Sequence, residues 1–159
     1  MNLFDKLWKN HPTITDDDSP CSSHGKKNFE NQCAIRLGEC LERSGLKTKI
    51  LPVRRCWFHK DKPGHILAAD ELAKALEKFT ITPKIQKPIK FSGKDGLTKI
   101  TGKTGIIFFK DYYGPSNQGD HIDLWNGNRL TRFSSLWDFF IMGGGRYKKA
   151  EIWFFPVVG

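Results

Sequence analysis

The sequence contains no apolar run near the ~20 residues needed to cross a bilayer, which excludes a helical membrane span. It has no Cys-x-x-Cys pair, so neither a zinc ribbon nor a thioredoxin-type motif is expected. There is no internal repeat, no helix-turn-helix pattern and no aromatic-plus-basic signature of an RNA-binding sheet, so no nucleic-acid partner is expected. Residues Met1 to Pro12 lack the uninterrupted apolar stretch and small-residue cleavage site of a secretory signal. A protein of this kind working outside its own cytoplasm would need another carrier. Acidic residues are in deficit, 17 against 26 Lys and Arg, for a formal net charge of +9. The positives are scattered rather than blocked, and such a surface suits polyanionic partners or simply aids solubility.

The chain does have apolar content of 38% with 13% aromatics, enough for a packed core in 159 residues. One domain over residues 1–159 is expected. Leu3, Phe4, Leu7 and Trp8 predict a short amphipathic helix over Leu3–Asn10, stopped by Pro12. Thr13 to Lys27 has loop composition. Ala34, Leu37 and Leu41, with Ile35 nearby, predict a helix opening at Cys33, with Asn31 as N-cap and Ser44-Gly45 as stop. A strand-like stretch covers Lys49–Val53. A second amphipathic helix, Ala68–Phe79, presents Ala69, Leu72, Ala73, Leu76 and Phe79 on one side. Pro83 and Pro88 bracket an extended connector, and Ser92–Lys103 reads as loop.

Strands dominate the remainder. Gly105–Lys110 is a continuous apolar run and predicts a central strand, with Tyr112–Gly119 as loop. His121-Ile-Asp-Leu-Trp125 alternates, placing His121, Asp123 and Trp125 on one face of a strand expected mid-sheet. Asn126-Gly127 signals a hairpin returning through Asn128–Phe133. Ser134–Met142 reads as a short helix ended by Gly143–Gly145, and Glu151–Pro156 as the strand that closes the sheet. Helices followed by an antiparallel sheet give an α+β layout.

A thiol at a helix N-terminus feels the positive end of the helix and lies beside free N–H groups. The first favours the thiolate, and the second can hold an oxyanion. Cys33 has that position, so it is either a nucleophile or a buried structural cysteine. His121 is the imidazole that could complete the pair, in the order and separation of papain-type sites. Asp123, two residues on, is the first candidate to orient it. Asn126, Asn128, Ser134 and Ser135 are alternatives, and Asp123 could instead pair with a lysine. Amides around Cys33 and Ala34 are the expected oxyanion donors, and Trp125 is either a cleft wall or core. Cys40 reads as packing, and a disulfide among Cys21, Cys40 and Cys56 is left open. His59 and His65 read as exposed. Cys21, His24, His11, His59 and His65 lack the spacing of structural zinc ligands, so no metal and no cofactor are expected.

The stretch Asn31-Gln-Cys-Ala-Ile-Arg-Leu37 and the later Gly119-Asp-His-Ile-Asp-Leu-Trp-Asn-Gly127 resemble the type VI secretion amidase effector family 4. Gly102–Phe109, the helix near Leu72 and the terminal Glu151-Ile-Trp-Phe-Phe-Pro156 fit the same family. The resemblance implies a papain-like NlpC-type fold, α+β, with helices on an antiparallel sheet and no metal. It implies hydrolysis of the amide between γ-D-glutamate and meso-diaminopimelate in peptidoglycan stem peptides, with Cys33 as nucleophile and His121 as base. It further implies injection by a type VI secretion apparatus into a rival's periplasm, and a cognate immunity protein as partner. Family members can carry an aspartate as third residue on the strand after the histidine. Here that position is Arg132, which cannot accept the imidazole N–H, so Asp123 or a backbone carbonyl would take its place. An acyltransferase or deamidase using the same pair, or a non-catalytic basic binding module, are the competing readings.

Overall fold

The computed structural model describes residues 1–29, 31–93, 97–113, 119–131 and 150–159. Helix α1, Leu3–Asn10, starts where Asn2 Oδ1 accepts the Asp5 N–H at 2.8 Å, and it buries Leu3, Phe4 and Leu7. The expected loop before the second helix contains a small hairpin, β1 (Ser22–Ser23) and β2 (Lys26–Lys27). His24 and Gly25, at φ +54° and +77°, make the two-residue turn whose twist suits paired strands.

Helix α2, Cys33–Arg43, is buried continuously from Cys33 to Leu41 rather than along one stripe, because other segments surround it. Its N-cap is Gln32, not Asn31. Asn31 instead accepts the Cys33 N–H through its side chain at 3.2 Å. The C-terminal stop is as expected, with Ser44 as C-cap and Gly45 at φ +87°.

Lys49–Val53 forms turns rather than a strand. The carbonyls of Thr48, Leu51, Val53 and Pro63 converge on the Arg55 guanidinium, at 2.7–3.2 Å, instead of joining a ladder. A short antiparallel bridge pairs Arg55 with Ile66 and sets Cys56 N–H on His65 O at 2.8 Å. Helix α3, Ala69–Lys78, buries Leu72, Ala73, Ala75 and Leu76. Phe79 caps it and is exposed, since the chain turns extended there before Phe79 can reach the buried face.

Four antiparallel strands build the main sheet in the order β3-β6-β4-β5. These are β3 (Ile89–Ser92), β4 (Gly105–Tyr113), β5 (Gly119–Trp125) and β6 (Glu151–Pro156). Strand β3 falls between the Pro83–Pro88 connector and the Ser92–Lys103 loop, where no element is predicted, and a 3-10 turn at Leu97–Ile100 lies within that loop. The terminal strand does not close an edge but inserts between β3 and β4. Strand β4 lies between β6 and β5, and among the described residues β5 comes last in the order. The expected return after Asn126-Gly127 is a four-residue turn to a single bridge, Trp125 with Leu130. Asn126 Oδ1 accepts the N–H groups of Asn128 and Arg129, and Gly127 sits at φ +94°. Arg132, the Ser134–Met142 helix and the Gly143–Gly145 stop lie outside the described residues.

The unbroken apolar run of β4 is explained by burial on both faces. Ile106 and Phe108 align with Leu124 and Ile122 of β5 and with Phe155 and Trp153 of β6. All six join Leu7, Leu37, Leu41, Leu72 and Leu76 in the helix-side core. Ile107, Phe109, Ile152, Phe154 and Trp125 pack on the other face against Phe91, Ile100, Leu130 and Ala150. Each such large side chain contributes about 1.5–3 kcal/mol.

One close backbone contact fixes the loop before α3 against α2. A Cβ at Gly38 would lie 1.8 Å from Gly64 O, and one at Gly64 would lie 2.6 Å from Gly38 O. Both obstacles are backbone, so neither can swing aside. Gly38→Ala should gain about 1 kcal/mol of helix propensity but lose about 3 kcal/mol to overpacking. A net loss of about 2 kcal/mol is expected in urea denaturation.

Candidate active site

Cys33 is the first residue of α2, so its position follows from where that helix can start. The Gln32 side chain fixes that point. Its Nε2 donates to Cys21 O and Phe29 O, and its Oε1 accepts the Cys21 N–H, all at 3.0 Å. The start of the helix abuts β5, the last strand in the sheet order among the described residues. The Ile122 N–H meets the Cys33 sulfur, and His121 hydrogen-bonds the same atom. Cys33 itself is only 4% exposed.

Strand alternation aims His121 and Asp123 the same way, as the sequence predicts. The His121 ring stacks on Phe109, its cross-strand partner, at 6.2 Å between centroids. Its Nε2 lies 3.6 Å from Asp123 Oδ2, a distance that would have to shorten for a direct hydrogen bond. Asp123 Oδ1 accepts the Leu124 N–H at 2.7 Å and the Thr131 hydroxyl at 2.5 Å. A second imidazole approaches from α1's end, with His11 Nε2 3.6 Å from Asp123 Oδ1. His11 Nδ1 accepts the Thr13 N–H at 3.2 Å, so the Nε2 proton faces the carboxylate.

These contacts outweigh burial at three groups and lose to it at the fourth. Burial pushes the Cys33 thiol up, but the His121 hydrogen bond and charge, the Ile122 N–H and Arg36 hold it below the usual thiol range. Burial pushes His121 down, yet the approach of Asp123 and Cys33, with their charges, raises it to about 9. Burial pushes Asp123 up, and His121, His11 and Thr131 together lower it to about 2. Burial carries His11 down to about 4 despite Asp123, so it is neutral at pH 7. The shifts favour the thiolate of Cys33, the imidazolium of His121 and the carboxylate of Asp123, the series that nucleophilic attack and proton delivery use.

Other expected roles change. The Cys33 N–H is engaged by Asn31, leaving the amide of Ala34, which helix geometry gives no intrahelical acceptor, as the expected oxyanion donor. Trp125 is fully buried and donates to Ile100 O at 3.0 Å, which makes it core and not a cleft wall. Asn126 is occupied by the hairpin turn rather than by His121. Cys40 is packing, as read, with its thiol donating to Leu7 O at 3.0 Å. His11, Thr131 and Arg36 are site residues that sequence reading missed. His11 is over a hundred positions from Asp123 and carries no local signal. Thr131 could have been found by extending the Asn126-Gly127 hairpin.

The four cysteines are free thiols. Contrary to the sequence expectation, His65 is buried, 1% exposed, and Cys21, Cys56, His59 and His65 come together away from Cys33. Their ligand atoms all lie within 4.8 Å of one another, the one such group of at least three potential ligands among the described residues. His24 stays outside it.

The α+β fold is papain-like, with Cys33 at a helix start and His121 on the adjoining strand. The chain belongs to the family described as type VI secretion system, amidase effector protein 4, whose model matches residues 29–155. Solved structures carry the same fold. The effector Tae4 of Salmonella typhimurium, in its complex with the immunity protein Tai4, is 20% identical with a TM-score of 0.70 and covers all of this chain and 99% of its own. Salmonella typhimurium Tae4 bound to Tai4 of Enterobacter cloacae gives 20% and 0.67 over the whole of both chains. Tae4 of Enterobacter cloacae gives 20% and 0.64 over all of this chain and 98% of its own. No curated protein matches the chain in sequence.

The charge state has a measurable signature. His121, raised above its ordinary 6.5, stabilises the fold fully below that value and loses the contribution as pH rises through about 9. Asp123, lowered from 3.8, contributes above 3.8 and loses it as pH falls through about 2. In a 15N-histidine NMR titration His121 should titrate near 9. In Asp123→Asn that midpoint should fall by about 1–3 pH units. An unchanged midpoint would remove Asp123 from the pair.

Proposed function

We propose that residues 1–159 form one catalytic domain that hydrolyses the γ-D-glutamyl–meso-diaminopimelate amide of peptidoglycan stem peptides, using Cys33, His121 and Asp123. The observation that carries this reading is the Cys33 sulfur held between the start of α2, the Ile122 N–H and the His121 ring. Membership of an amidase effector family supplies the reaction class.

The Cys33 sulfur attacks the γ-glutamyl carbonyl carbon. The carbonyl oxygen becomes an oxyanion facing the Ala34 N–H and the positive helix start, where one donor is worth ~3 kcal/mol. The His121 imidazolium protonates the leaving amine of diaminopimelate as the C–N bond breaks, leaving a thioester on Cys33. Neutral His121 then takes a proton from water, whose oxygen attacks the thioester, and the thiolate leaves. Asp123 holds the ring through Nε2 and offsets its positive charge in both half-reactions. The +9 charge draws the enzyme to an anionic wall.

The work site in this reading is the periplasm of a target bacterium, reached by type VI secretion. No helix among the described residues is long and apolar enough to cross a membrane. The Tae4 structures in complex with Tai4 support a cognate immunity protein as partner.

Purified sacculi digested with the wild type should release fragments whose masses place the cut between glutamate and diaminopimelate. Cys33→Ser should release none above background. Asp123→Asn should lower kcat about 100- to 10,000-fold. Equal release by wild type and Cys33→Ser would overturn the mechanism, and intact stem peptides with wild type would overturn the substrate.

A further inference from the structure

The loops that flank the start of α2 have little regular structure, yet they converge on four soft or borderline donors. Cys21 precedes the β1–β2 hairpin, which the Asn28 N–H closes onto Cys21 O at 2.8 Å. Cys56 and His65 face each other across the Arg55–Ile66 bridge. His59 lies on the turn between them, its Nδ1 3.6 Å from Cys21 Sγ and 3.7 Å from Cys56 Sγ. The two sulfurs are 3.2 Å apart. Zinc bonds of about 2.0–2.3 Å in a tetrahedron put ligand atoms about 3.3–3.8 Å from one another. The three distances among Cys21, Cys56 and His59 match that requirement, and all four ligand atoms lie within 4.8 Å of one another.

The outer contacts are those of ligands held for a metal. His65 Nε2 is 3.1 Å from Glu39 Oε1, while its Nδ1 is buried without a hydrogen-bond partner. A carboxylate on one ring nitrogen commonly orients the other toward zinc. Backbone and amide N–H groups also point at the sulfurs. Phe58 N–H donates to Cys56 Sγ at 3.2 Å, and Asn28 Nδ2 to Cys21 Sγ at 3.5 Å. An orphaned buried imidazole nitrogen would cost stability here, and a metal ion would satisfy it.

We propose that Cys21, Cys56, His59 and His65 hold a structural Zn2+ ion that staples the hairpin and the Cys56–His65 loop to α2. Two thiolates and two imidazoles suit zinc, and four protein ligands make a closed site with no position for substrate. Binding replaces the two thiol protons, which leave to solvent, and the resulting complex is neutral. The staple reaches the nucleophile through Gln32, whose amide grips the backbone of Cys21 and immediately precedes Cys33.

The test uses the full chain, purified reduced and without chelator, and reads zinc by elemental analysis. About one zinc per chain is expected. Chelation should lower the Tm, and added Zn2+ should restore it. Co2+ in place of Zn2+ should show the visible bands of a tetrahedral ion with a thiolate charge-transfer band. Cys56→Ser and His65→Ala should lose the metal, whereas Cys40→Ser and Cys33→Ser should keep it, separating this staple from the hydrolytic site. Glu39→Gln should weaken zinc binding about 10- to 100-fold. Reduced wild type that holds no zinc and gives no tetrahedral Co2+ spectrum would overturn the proposal. So would a Cys21–Cys56 disulfide, found by peptide mass mapping, in protein refolded with zinc present.

Discussion

The structure turns on the meeting of a helix start with strand β5. The start of α2 brings the Cys33 sulfur to the Ile122 N–H of that strand. The same junction sets the imidazole of His121 beside the sulfur and Asp123 behind the imidazole. Each of the three buried groups has an opposite neighbour that favours its charged form against burial. The hydrophobic sheet holds them in place from below. Strand β4, buried on both faces, carries Phe109 under the His121 ring.

What was legible in the sequence was local. The 3.6-residue pattern placed Cys33 in the first turn of α2, and the period of two put His121 and Asp123 on one strand face. The apolar run of β4 marked it as central. What was hidden depended on contacts across the chain. That β6 inserts between β3 and β4 is encoded by no local pattern. His11 and Thr131 join Asp123 only through tertiary packing. The Asn31 side chain was read as a cap and instead holds the Cys33 amide, while Gln32, with no capping bond of its own, ties down Cys21.

The histidines show the same division. Five imidazoles look alike in sequence, yet burial and partners separate them. His121 is kept charged by a carboxylate and a thiolate, and His11 is kept neutral by burial even beside that carboxylate. His65 sits in a Lys- and Pro-rich stretch that reads as solvent-facing. The Arg55 guanidinium gathers that stretch's carbonyls inward, and the loop folds over its own histidine.

The contact between Gly38 and Gly64 constrains how this protein can vary. Helix and loop touch backbone to backbone, with His65 next to Gly64 and Glu39 next to Gly38. A side chain admitted at either glycine would push the loop off the helix and separate that histidine from its carboxylate. The helix and the loop therefore form one seam, and a segment transplanted into either side fits only if it too leaves that position without a side chain.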